Sequence, residues 1–198
     1  MHNKLTPQNT NGLSYKLVTK TYHYGKILEF IRNIMQKHIG RFSYNANASL
    51  SYKQLAESDE KVAILLFEVG SYRESCYHIL QAMEKLIRAK IFTLVDANNK
   101  FFRDKNRSHS VEDAVSFLIE VVSSNETIKS QVNQQLKKHV LGITRYNYLH
   151  NNLRYPVFFE KQNSYSLLEI TKEDTRDLLN RLNLLKAFIQ DIDSIANV

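Results

Sequence analysis

A chain of 198 residues, 43% of them hydrophobic, is long enough for one domain with a sizeable core and too short for two comfortable ones. Only five glycines and two prolines interrupt it, so long uninterrupted elements and an all-α protein are expected. The single cysteine excludes an internal disulfide, no Cys/His spacing suits zinc, and no apolar run is long enough for a membrane span. The surplus of seven positive charges favours polyanions such as RNA or nucleotides.

In chain order, residues 1–20 are a polar lead-in rich in Thr, Asn, Gln and Lys, expected to be disordered in solution. Residues 21–49 form an N-terminal helical extension: Ile27, Leu28, Ile31, Ile34 and Met35 repeat at helical spacing between Tyr24 and His38, and Gly40 ends the run. Residues 50–198 carry the main body. A helix over 51–69 puts Tyr52, Leu55, Ala56, Val62, Ala63, Leu66 and Phe67 on one stripe. The next begins after Ser71 and continues to about Val95, burying Tyr72, Cys76, Ile79, Leu80, Met83, Leu86, Ile87, Ile91 and Leu94, with Arg73, Glu84, Lys85, Arg88 and Lys90 supplying charge. Joined at Gly70-Ser71, the two predict an antiparallel hairpin.

Residues 96–109 read as a polar, basic loop in which Phe101 and Phe102 either pin the chain to the core or, beside Arg and Lys, stack bases. Ser110 with Asp113 has the form of a capping box and opens a short helix through Val122. From Thr127 the apolar positions Ile128, Val132, Leu136, Val140 and Ile143 lead directly into Tyr146, His150 and Leu153, predicting the longest element of the chain, in which Gly142 eases the helix or permits the close approach of another backbone. Residues 155–170 lack helical period. Thr171 with Asp174 repeats the capping-box pattern before a last helix whose leucines and isoleucines extend to Ile195. The sum is an up-and-down helical bundle of five to six helices.

The stretch RYNYLHNNLRYP, residues 145–156, gathers the chemistry. On a continuous helix His150 and Arg154 lie about 40° apart with Asn147 and Asn151 beside them, and Arg145 lies about 140° round from His150. Histidine exchanges a proton near neutral pH and arginine grips a phosphate bidentately, which suits phosphodiester chemistry or phosphate binding. The structural alternative is equally concrete: cations complement the C-terminal end of a helix that Pro156 terminates.

Three segments resemble the HEPN superfamily, the all-α domains named for higher eukaryotes and prokaryotes nucleotide-binding. Residues 69–92 resemble the family's second helix, with its Q-A-x-E-K-x-x-K/R-A run at Gln81, Ala82, Glu84, Lys85, Arg88 and Ala89. The phrase SHSVEDAVSFL resembles the short third helix, entered through His109. RYNYLHNNLRYP is similar both to the R-x4-6-H motif of ribonucleolytic members and to the R-Y-P ending of another branch.

The resemblance implies a homodimer formed through the long helices, with two copies of the Arg/His motif meeting in a cleft that cleaves RNA without metal or cofactor. His150 would be general acid or base for attack by the ribose 2′-hydroxyl, and Arg145 would stabilise the phosphorane charge. Asn147 would orient His150 or the phosphate, with Asn151 and Arg154 as further phosphate contacts. Such proteins serve as toxins of toxin–antitoxin pairs or in phage defence. The alternative from the same family is a non-catalytic module that binds nucleotide or RNA, or a small nucleotidyltransferase partner. A cytoplasmic location is expected in either case.

Overall fold

The computed structural model describes residues 40–42, 44–142 and 144–196, with side chains as far as 192. The polar lead-in and the helix expected over 24–38 lie outside the described residues. The chain divides into two units, residues 1–45 and 46–198. Of the first, the described part is exposed coil in which Gly40 and Asn45 take positive φ.

Among the described residues the second unit is an all-α bundle of seven α-helices with one small hairpin. Helix α1 (Ala48–Glu68) opens under the Asn47 side chain, which accepts from the Leu50 amide at 2.9 Å. Gly70, at φ +81°, turns the chain into α2 (Tyr72–Leu94), and the two helices pack along one another as the predicted hairpin. Leu55, expected on the buried stripe of α1, is instead 51% exposed; Ala56 and Ala63 make the close contact.

Helix α2 is the hub, packed against α1, α4, α6 and α7, and its Cys76, Ile79, Leu80, Met83, Ile87 and Ile91 are sealed from solvent. Cys76 is therefore a core residue, and burial pushes its thiol up to about 11. The chain then makes a short helix, α3 (Lys100–Lys105), inside the stretch expected to be loop; the Asn99 side chain caps it. Phe102 stacks on Phe117, pinning this segment to α4 (Val111–Val122). Ser110 Oγ accepts from the Asp113 amide at 3.0 Å, as its capping pattern predicts.

The long element predicted from Thr127 to Arg154 is broken. Helix α5 (Glu126–Gln135) passes into a π-helical turn (Leu136–Leu141), and Gly142 adopts φ +67°, ψ −153°, a conformation open in practice only to glycine. The chain resumes as α6 (Tyr146–Arg154). The apolar period carries across this break, so it leaves no mark in the hydrophobic pattern; what separates the two segments is backbone direction.

Residues 157–166 add a correction of a different kind. Val157–Phe159 (β1) pairs antiparallel with Ser164–Ser166 (β2) around Asn163, which takes the left-handed conformation. Helix α7 (Lys172–Ala196), not the segment from Thr127, is the longest element. Its capping box is reciprocal: the Thr171 amide donates to Asp174 Oδ2 at 2.9 Å, and the Asp174 amide to Thr171 Oγ1 at 3.2 Å. The Thr171 hydroxyl also donates to Asp174 Oδ2, at 2.7 Å, and this bond, with the one from the Thr171 amide, holds the Asp174 carboxyl below its ordinary range. No helix among the described residues is long and apolar enough to cross a membrane.

Candidate functional site

Helix α6 is held at both ends by groups distant in sequence. At its start the Asn147 amide donates to Glu112 Oε1 of α4 at 2.8 Å, so a carboxylate meets the positive end of the helix. Tyr146 is buried and its hydroxyl donates to Leu141 O at 2.8 Å across the Gly142 turn. Burial raises this phenol to about 12, keeping it a donor. At the far end the Arg73 guanidinium of α2 collects carbonyls that the helix leaves unpaired, donating to Leu153 O at 2.9 Å and Asn152 O at 3.2 Å.

His150 faces inward from this helix and is 9% exposed. The Tyr77 ring lies over the imidazole at 6.0 Å, 9° from parallel, and the Gln81 amide nitrogen sits 3.2 Å from Nε2. With that amide as donor, Nε2 accepts and the proton resides on Nδ1. Burial lowers the His150 pKa, and the Arg154 charge lowers it further against the pull of Glu84, so the ring is neutral at pH 7.

Beyond Gln81, Glu84 Oε1 accepts from Arg88 Nε at 2.9 Å and stands 3.6 Å from His109 Nδ1. The same arginine donates to the carbonyls of Asn106 and Ser108 and to the Asn106 side chain. Glu84 and Arg88, expected to supply surface charge, are thus buried, and they fasten the 96–110 segment to α2.

Arg145 does not join His150. It occupies the N-cap position ahead of α6, exposed, and lines a groove of about 760 Å³ with Glu169, Glu173, Asp174 and Asp177. Within one chain the two residues of the R-x4-H spacing open to different surroundings. Asn147 and Asn151 are exposed on the outer side of α6.

Arg154 is also exposed, with its guanidinium carbon 5.1 Å from the centroid of the Tyr155 ring. It lines a cleft of about 390 Å³ with Arg73, Glu74, Tyr77, His78, Leu153 and Tyr155. His78 Nδ1 lies 3.0 Å from Asp59 Oδ1, and Lys85 pairs with the other oxygen of that carboxylate. Tyr77, His78 and Asp59 were not among the candidates read from the sequence. The only trace was a tyrosine–histidine pair on a helix; that Asp59 stands opposite it depends on the register of the α1–α2 hairpin. Among the described residues no three His, Cys, Asp or Glu side chains converge in a way that could hold a metal ion.

The family model of the HEPN domain matches residues 50–192. The chain belongs to the HEPN family. Comparisons with curated proteins and with solved structures find no match. In this HEPN domain the Gln81–Ala89 run lies on the central helix and supplies Gln81 and Glu84 to the surroundings of His150, while the R-Y-P ending places Arg154 and Tyr155 in the lining of the neighbouring cleft.

Proposed function

We propose that this HEPN domain binds a nucleotide or RNA through a phosphate held by Arg154 in the cleft between the start of α2 and the end of α6. The observation that carries this reading is the exposed Arg154 guanidinium against Tyr155: among the described residues no carboxylate forms an ion pair with it. Arginine presents a planar fork that matches two phosphate oxygens, and a neighbouring tyrosine offers a face for a base, worth about 1–3 kcal/mol per stacked base. The net positive charge of the chain adds long-range attraction that salt weakens. Arg145, set among carboxylates, is poorly suited to an anion.

The test is the affinity of a fluorescent RNA oligomer, by polarisation in EDTA at fixed ionic strength. Arg154→Ala is expected to weaken binding roughly 10-fold or more, the scale of a lost charge-assisted hydrogen bond, and Arg145→Ala to leave it within about 2-fold. Equal losses in the two variants would overturn the assignment.

A second reading is a metal-independent endoribonuclease of the toxin type using Arg145 and His150. Its support is the R-x4-H spacing of Arg145 and His150, and it requires the Gln81 amide to release His150 Nε2 before that nitrogen takes a proton from a 2′-hydroxyl. It requires Arg145 from a second copy of the chain to approach His150 of the first, so its signature is cleavage that falls off with dilution below the dimer dissociation constant.

A further inference from the structure

We propose that the cavity between α1, α2 and α7 is a binding site for a medium-chain aliphatic carboxylate. It shares no lining residue with the Arg154 cleft. Helices α1 and α7 both pack along α2, and the hollow opens where Ala56, Ala82 and Ala89 are too short to fill the space between them. With Leu86, Leu182 and Ile189 these alanines make an apolar floor, spaced three and four residues apart along each helix. The volume of about 420 Å³ lies within the range of small-molecule sites, roughly 300–1,000 Å³.

The floor selects the body of the ligand. Among the described residues no aromatic ring lines the cavity, so a nucleobase finds nothing to stack on, whereas an alkyl chain meets aliphatic side chains throughout. Charge selects its head. Three lysines, Lys53, Lys90 and Lys186, face two glutamates, Glu57 and Glu60. Lys186 Nζ stands 2.7 and 2.9 Å from the two oxygens of Glu60, a bridge that ties α7 to α1 and occupies both groups.

Lys90 is buried in the wall, at 4% exposure. Lys53 is exposed at the mouth, and no carboxylate among the described residues forms an ion pair with it. It is therefore the cation open to a ligand. The two hydroxyls of the lining are already committed: Ser49 Oγ donates to Ala89 O at 2.9 Å and Thr93 Oγ1 to Lys90 O at 2.7 Å. One open cation suits a single negative charge. Lys53 and Ala56 lie one turn apart on α1, so a carboxylate held by Lys53 places its chain over the alanine floor. Glu57, exposed one turn on from Lys53, is the opposing charge.

The experiment is calorimetric titration of the full chain with sodium octanoate, with hexanoate, octanol, octylamine and adenosine monophosphate as comparators. Octanoate is expected to bind with a single site per chain and to raise the thermal midpoint. Hexanoate should bind roughly 10-fold more weakly, because two methylenes fewer are buried. Lys53→Gln should weaken octanoate about 3-fold or more and Glu57→Gln should strengthen it, and both changes are at exposed positions that the fold tolerates. Ala89→Leu fills the floor and should abolish binding, with circular dichroism to check folding. Octanol or octylamine binding as tightly as octanoate would overturn the carboxylate assignment. Displacement of octanoate by adenosine monophosphate would make the cavity a nucleotide site instead. Absence of both heat and midpoint shift would sink the site itself. None of these outcomes bears on the Arg154 cleft, which RNA affinity tests separately.

Discussion

The Tyr77 ring covers the His150 imidazole at 6.0 Å and 9° from parallel, and with Gln81 behind it this contact holds an ionisable side chain in its neutral form. Burial lowers the His150 pKa, so the unfolded chain binds a proton there more readily than the folded one. The stabilising contribution of the neutral ring is complete above the ordinary histidine pKa near 6.5 and is lost as pH falls below it. Urea midpoints between pH 8 and pH 5 are expected to drop more steeply for wild type than for His150→Gln. Parallel curves would show that the ring is not held neutral.

Arg88 is the second place where burial and charge meet. Its side chain is 3% exposed and that of Glu84 7%, and its remaining donors go to the carbonyls of Asn106 and Ser108. Arg88→Ala strands a buried carboxylate and frees the 96–110 segment, and is expected to cost about 3–5 kcal/mol. Replacing the pair together by Met and Leu removes the stranded charge, so it should recover part of that loss. It should not recover all of it, because the two loop carbonyls lose their donor. Chemical denaturation of wild type and the two variants measures both differences.

Gly142→Ala probes the break ahead of α6. At φ +67°, ψ −153° a Cβ is strained, and it would stand 2.1 Å from the Arg181 guanidinium, which donates to Leu141 O at 2.8 Å. Arg181 is flexible and can withdraw, giving up that bond, while the backbone strain remains. A loss of about 1–3 kcal/mol is expected. A stability equal to wild type would mean that the turn tolerates an ordinary residue and that α5 and α6 are less sharply divided.

Much of the bundle was legible because helical signals are local. The Gly70-Ser71 step, the Ser110/Asp113 and Thr171/Asp174 caps, and the apolar period of α2 each lie within a few residues, and each appears where expected. Gly142 was legible as a soft point but not as a break: Leu136, Val140, Tyr146 and Leu153 are all buried on either side of it, so the apolar period continues through the change of conformation. The hairpin over 157–166 has strands of three residues, too short for alternation to register. Glu84 and Arg88 looked solvated because their partners, 18 to 25 residues further on, are loop carbonyls and a histidine.

The sequence by itself determined the all-α class, the two capping boxes at Ser110 and Thr171, the α1–α2 hairpin and the HEPN resemblance, since spacing along one helix is encoded within three or four residues. It also marked 145–156 as rich in chemistry. Only the tertiary structure decided which of those side chains share a surface. It set Arg145 among the carboxylates of α7, sealed His150 under Tyr77, and joined Arg154 to a cleft with His78. Such meetings depend on the register of helices packed against α2 and on one glycine that redirects the chain, and neither is a property of any short stretch of sequence.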